Sequence, residues 1–263
     1  MADTLSLWFF YFMIYSFLGW ACETVYCSIP AKHFINRGFL NGPFCPIYGC
    51  GALFIVAVLE PYVNNVFLVF ILGMIFTSVL EYVTSFLMEK LFHCKWWDYS
   101  DKPFNLNGRI CLKNSLLFGV MSVVVMFFVH PWIRNMVSAL SPLTREIISA
   151  ALLIYFAFDL VLTVRSVLKL NSRLKKLRQL KQELLEAVHQ KELEREATFN
   201  ELLEQLKAAS SQKLASFQAR AQTLRDDNRL LQRRLLKAFP NLKTPRYSEQ
   251  LEAIKAALRN KKK

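Results

Sequence analysis

The sequence predicts an all-α fold: a polytopic membrane protein of about five transmembrane helices with a re-entrant or broken-helix loop, followed by a long cytoplasmic coiled-coil-like helix. Three observations carry this expectation. Hydrophobic residues make up 54% of the 263-residue chain, yet they crowd into residues 1–164, while the remainder is rich in Lys, Arg, Glu, Gln and Leu. The apolar part is interrupted by NRGFLNGPFCPIYGCG (36–51), which holds four of the eight glycines and two of the nine prolines. The polar part carries leucines at three- and four-residue steps. The expected divisions are a transmembrane domain over 1–164, a basic juxtamembrane segment and coiled-coil helix over 165–239, and a short amphipathic basic tail over 240–263.

Five apolar segments are marked at roughly 5–27, 46–60, 65–89, 113–132 and 147–164. A spanning helix needs ~20 residues to cross ~30 Å of hydrocarbon. The first, third and fourth meet that length. The fifth needs Arg165 and Lys169 to snorkel their charges to the interface. The second is short, and the glycine-rich stretch feeds into it. The first lacks a positive leading region and has too long an apolar run for a signal peptide, so it reads as a retained span.

Cations in the short loops set the orientation. Lys32 and Arg37 follow the first segment, and none follow the second. Lys90, Lys95, Lys102, Arg109 and Lys113 follow the third, Arg134 and Arg145 the fourth, and a basic tail the fifth. The expectation is a multi-pass cell-membrane protein with its N-terminus outside and its C-terminus in the cytoplasm. Its six cysteines then face a reducing compartment, which disfavours disulfides. Cys45 and Cys50, with His33 and His93 elsewhere, make a poor zinc pattern. Packing as small apolar residues accounts better for the cysteines, so no metal or other cofactor is expected.

Lipid cannot satisfy bare backbone amides, so irregular chain at membrane depth survives only where protein or a water-filled cavity covers it. The glycines of 36–51 allow close backbone approach, and Pro43 and Pro46 interrupt a helix. Asn36, Arg37, Asn41 and Tyr48 are the polar candidates of this stretch. Ionisable residues inside spans are functional candidates by default. These are Glu23, Glu81, Glu89 and Asp159. Ser78, Glu81, Ser85 and Glu89 fall on one stripe of the third segment. The loop that follows adds Asp98, Tyr99, Asn105, Asn107 and Arg109, with Arg109 able to pair with Glu23 or Glu89. Loop and acids together are expected to build one polar site open to the cytoplasm.

From Arg165 to Gln182 the chain has seven basic residues and no acid. Residues 165–181 are expected to lie on anionic headgroups. Heptad spacing then runs through Leu177, Leu180, Leu184 and Ala187, through Phe199, Leu202, Leu206 and Ala209, and through Phe217, Ala221, Leu224, Asn228, Leu231 and Leu235. It predicts a helix that self-associates into a homo-oligomer or folds back near Ala208–Ser211. Pro240 ends it, and a short amphipathic helix follows at 248–260. The net charge of +13 comes with no aromatic stacking platform, so nucleic acid is not an expected partner.

Four stretches together carry a family resemblance: FFYFMIYSFLGWACETVY (9–26), NRGFLNGPFCPIYGCG (36–51), SVLEYVTSFLMEKLFHCKWWDYS (78–100) and FNLNGRICLKNSLLFG (104–119). They resemble the ABC-transporter type IV permeases, the CmpB-like family of bacterial membrane proteins, over about residues 8–165. The resemblance implies a bacterial inner-membrane, permease-like protein of about five spans, and it carries over no catalytic residue. The chain has no G-x-x-x-x-G-K-[ST] phosphate loop, so a transport role requires an ATPase from a separate subunit. A membrane-anchored scaffold working through the coiled coil is an alternative. A membrane enzyme acting on a lipid headgroup or phosphate is another. No nucleophile or metalloprotease motif supports an enzyme, and no reaction type can be named.

Overall fold

The computed structural model describes residues 2–194, 215, 216, 219, 220, 223 and 230–260. The chain forms two compact units, Met1–Arg165 with Arg234–Lys243, and Ser166–Arg233 with Thr244–Lys263.

In the first unit, helix α1 (Ala2–Ala31) carries Pro30 in its last turn, and Lys32 beyond it turns left-handed at φ 53°. Residues 34–45 are not helical. Helix α2 (Pro46–Leu59) starts on a proline, whose missing N–H costs nothing in a first turn. A single 3-10 turn, Glu60–Tyr62, leads to α3 (Val66–Phe92). Asn65 caps α3 by accepting from the Leu68 amide at 3.0 Å, and left-handed His93 ends it.

A two-stranded antiparallel hairpin, β1 (Asn105–Leu106) with β2 (Ile110–Cys111), precedes α4 (Leu112–Val124). An all-α expectation omits it. Asn107 and Gly108 turn it with φ of 54° and 68°. A five-residue π segment, Val125–Val129, joins α4 to α5 (His130–Ser138). Pro131 lies two residues beyond it and has no N–H to give residue 127, which accounts for the widened turn. Helix α6 (Pro142–Glu194) runs 53 residues without a break, on the order of 80 Å at helical rise.

Four helical stretches are long and apolar enough to cross a membrane: Thr4–Ala31, Val66–Phe92, Leu112–Ser138 and Pro142–Leu180. The second segment of the sequence reading is the shorter helix of 14 residues, α2, about 21 Å long and less than the ~30 Å hydrocarbon thickness. Small residues let the helices approach. A methyl at Gly49 would meet Ser16 Oγ and the Phe12 carbonyl, and one at Gly73 would meet Ser122. Apolar clusters fill the gaps, one around Phe10, Tyr15, Ile133 and Val137, another around Ile55, Leu59, Val69 and Met126.

In the second unit, Val167, Leu170, Leu174, Leu177 and Leu180 form a buried seam along α6. Helix α7 (Leu230–Ala238) contributes Gln232, which accepts from Arg173 and donates to the Ser166 carbonyl at 3.4 Å. Helix α8 (Ser248–Asn260) buries Leu251 and Ile254, and Arg178 lies 5.9 Å above the Tyr247 ring. Leu177 and Leu180 are therefore already covered within one chain, which removes the apolar drive for a second copy to cover them. Phe199, Leu202, Leu206, Ala209, Phe217, Ala221, Leu224, Asn228 and the fold-back point at 208–211 lie outside the described residues. So do the side chains of Leu184 and Ala187. On 165–181, Lys169, Lys175, Lys176 and Arg178 are exposed while Arg173 is buried.

Candidate functional site

The non-helical stretch 34–45 is held by side chains rather than by its own backbone ladder. Trp20 donates Nε1–H to Asn36 Oδ1 at 2.7 Å, and Asn36 donates to the Asn41 carbonyl at 2.8 Å. Arg37 Nε reaches Glu23 Oε1 at 3.3 Å, and its amide donates to Thr24 Oγ1. The Cys45 amide donates to the Ser16 carbonyl at 2.9 Å, and its thiol lies 3.2 Å from the Arg37 carbonyl. The loop thus folds back onto α1, with the amides of Ile35, Arg37, Phe44 and Cys45 each donating to a partner.

Asp159, on α6 and 5% exposed, is the loop's principal acceptor. Its Oδ1 takes the Asn41 amide at 3.0 Å and the Asn41 side chain at 2.9 Å; its Oδ2 takes the Gly42 amide at 2.7 Å. Thr163, one turn on, donates to Oδ1 at 3.3 Å and accepts from Asn41 at 2.9 Å. A carboxylate with this many donors is stable when buried, so Asp159 fixes the loop and has little left for a ligand. From the C-terminal part of the unit, Arg234 donates to the carbonyls of Gly38 and Phe39 at 3.0 and 2.8 Å.

Next to this loop lies a group that is not saturated. Glu81, on α3 and 6% exposed, accepts one hydrogen bond, from the Tyr99 hydroxyl at 3.3 Å to Oε1. Its Oε2 is buried and has no hydrogen-bond partner among the described residues. Tyr48 on α2 lies within electrostatic reach of Glu23, Cys45, Tyr99 and Glu81, and Glu23 within reach of Glu81. Burial, and then the Glu81 carboxylate, push the Tyr99 hydroxyl well above the usual tyrosine range, so it stays a donor.

The remaining candidates fall into two other groups. Arg109 pairs with Glu89 at 2.7 Å, donates to Ser85 Oγ at 3.3 Å, and lies over the rings of Tyr82 and Phe86. Of the acids open to Arg109 from sequence, Glu89 holds it, while Arg37 pairs with Glu23 and Glu81 accepts from Tyr99. In the exposed loop, Asp98 pairs with Lys243 at 2.7 Å and accepts from the Ser100 hydroxyl. Lys243 first, and Ser100 next, hold its carboxyl well below the usual range; Asp98 in turn raises the Lys243 ammonium. Asn105 binds the carbonyls of Ser100 and Lys102, and Asn107 donates to the Tyr82 hydroxyl. These two asparagines build the loop and hairpin. Glu23, Asn36, Arg37, Asn41, Tyr48, Glu81, Tyr99 and Asp159 lie around the 34–45 loop.

The family profile described as "Putative ABC-transporter type IV" matches residues 10–164, more than half of the chain. The chain belongs to that family. Every candidate residue above except Arg234 and Lys243 lies inside the type IV match. No curated protein and no solved structure matches the chain. Among the described residues no three His, Cys, Asp or Glu side chains gather as a metal site.

Sequence reasoning missed several partners in this type IV protein. Thr163 was signalled by its position one turn after Asp159. The hairpin was signalled by Asn107–Gly108, the dipeptide that best tolerates consecutive left-handed residues. Trp20 carried no signal beyond its place near the end of an apolar helix. Arg234 was hidden in a leucine-rich run.

Proposed function

We propose that this type IV family member is the membrane-embedded, permease-like part of a bacterial inner-membrane transport system, with ATP hydrolysis supplied by a separate subunit. The family membership and four apolar helices support the class. Its chain crosses five times, N-terminus outside and C-terminus in the cytoplasm. Helix α2 is the short crossing, completed by the loop 34–45 as a re-entrant segment. Glu81 carries the reading. A carboxylate buried in an apolar helix, with one oxygen lacking any donor, is costly unless that oxygen has a task. The two phenols and the Glu23–Arg37 pair beside it make a polar interior that a cationic solute group or a proton could enter from the loop side.

Extraction in mild detergent, followed by assay of ATP hydrolysis, tests it. The protein should co-purify with a nucleotide-hydrolysing subunit, and Glu81→Gln should leave the complex intact while lowering its turnover about tenfold or more. A chain that leaves its native membrane alone, with no associated hydrolysis, removes the reading.

A further inference from the structure

Residues Arg234–Lys243 belong to the first unit although the chain leaves that unit at Arg165. They lie beyond the family match, which ends at residue 164. Pro240 stops α7, so the segment continues in non-helical form, with Leu242 turning back to the Phe239 carbonyl at 3.0 Å. Hydrogen bonds, an ion pair and ring contacts tie it to two loops. On 34–45, Arg234 holds the carbonyls of Gly38 and Phe39, and Arg37 donates to the Ala238 carbonyl and lies 4.8 Å above the Phe239 ring. On 93–109, Lys243 exchanges two backbone hydrogen bonds with Lys95, at 2.8 and 3.0 Å, and its ammonium pairs with Asp98. Between them, Phe239 packs edge-on against Trp96 at 5.0 Å, and Trp96 against Phe39 at 5.1 Å.

We propose that these two loops form a docking groove for a basic and aromatic peptide that runs from a helical turn into extended chain, occupied by the chain's own Arg234–Lys243 as a displaceable clamp. The same two loops supply Arg37 to Glu23 and Tyr99 to Glu81. Clamping them together closes the approach to that pair of acids. As a docking contact the proposal stands alone; as control of a solute path it rests on the transport reading above. Leu235, Ala238 and Leu242 are almost fully buried, so the segment leaves only when a competing peptide covers the same surface. Arg234 binds neutral carbonyls, and the Lys243 side chain is 62% exposed while that of Asp98 is 9% exposed, so a displacing peptide must bring Asp98 a cation in place of Lys243. The recognition chemistry is specific: two cations nine positions apart, an aromatic between them, and a strand-like residue adding to the Lys95 edge.

Native thiols report on the groove. Cys45 lies near Arg234, Cys94 adjoins Lys95, and Cys111 sits in the hairpin; all three are buried and in no disulfide among the described residues. The full chain in inside-out vesicles is treated with a membrane-impermeant maleimide, and each site is read by mass spectrometry. In the double variant Arg234→Ala with Lys243→Ala, Cys45 and Cys94 should label about tenfold faster than in the wild type, with Cys111 unchanged. A synthetic peptide of residues 233–244, added in trans, should restore slow labelling. Unchanged rates, or a rise that the peptide does not reverse, overturn the clamp. Glu81→Gln should leave all three rates as in the wild type, so failure of the transport reading and failure of the clamp give different results.

Discussion

Arg109 lies 2.7 Å from Glu89 and leaves Glu81 to the Tyr99 hydroxyl. The two acids sit two helical turns apart on α3, and the hairpin decides between them by delivering Arg109 to the outer one. Both members of the pair are mostly covered, at 14% and 23% side-chain exposure. Removing one charge leaves the other poorly solvated. Arg109→Gln and Glu89→Gln should each cost about 2 kcal/mol in a reversible unfolding assay, and the double variant less than their sum. Strict additivity of the two single costs would mean that the pair contributes nothing.

Glycine tolerance separates two kinds of close approach. A methyl on Gly42 would sit 2.2 Å from the Tyr155 hydroxyl, the far end of a side chain that can swing away. A methyl on Gly49 would sit 2.7 Å from the Phe12 backbone oxygen. Gly42→Ala should therefore lower the melting temperature and recover partly when combined with Tyr155→Phe. Gly49→Ala should lose folded yield, and removing the nearby Ser16 hydroxyl should not restore it. Equal rescue at both sites would contradict the contacts.

The Asp98–Lys243 contact has a defined pH window. The folded pKa of Asp98 lies below its unfolded value of ~3.9. Its stabilisation is therefore complete above that value and is lost as pH falls through the folded pKa. Lys243 is raised, so its share is complete below the unfolded ~10.4 and is lost only as pH rises through the folded value. Hydrogen exchange at the Lys95 amide, corrected for its intrinsic pH dependence, should speed up below about pH 4 and at high salt. Asp98→Asn should flatten the acid limb. An unaltered limb would place the titrating group elsewhere.

Much of the scaffold was legible because apolar length and Gly/Pro punctuation are local properties. Pro46 opening a helix, Pro240 closing one, and an irregular stretch at 34–45 all follow from chain chemistry. Pairing was less legible, because it depends on which loop folds back where. Glu23 meets Arg37 since the loop returns onto α1, and that return is fixed by Asp159, over a hundred residues away in sequence. Arg234 was the hardest. Leu231 and Leu235 flank it at heptad spacing, and periodicity says which face is apolar without saying what that face meets.

Asp159 can be tested through its number of donors. Asp159→Asn keeps one acceptor oxygen and places an amide against donors, so at least one buried N–H of Asn41 or Gly42 loses its partner. The expected cost is about 1–3 kcal/mol, with faster exchange at the Asn41 and Gly42 amides and little change in the hairpin. Loss of protection in both regions would mean that the loop and hairpin open as one body.

Glu81 gives the sharpest separation of fold from function. Gln keeps the shape of Glu and leaves Oε1 as an acceptor for the Tyr99 hydroxyl. No donor among the described residues loses a partner, because Oε2 has none, and the cost of about 1–3 kcal/mol for the donors that the new amide brings is offset by the loss of a buried charge. The substitution also removes a charge from an apolar helix, so Glu81→Gln should melt no lower than wild type, and its cost should not couple to Arg109→Gln. A drop of several kcal/mol would instead show that a cation holds Glu81 in the resting protein. Unchanged stability with lowered turnover would leave one explanation for a buried, half-satisfied carboxylate, namely that its second oxygen serves what passes through. Unchanged stability with unchanged turnover would take the solute path away from Glu81.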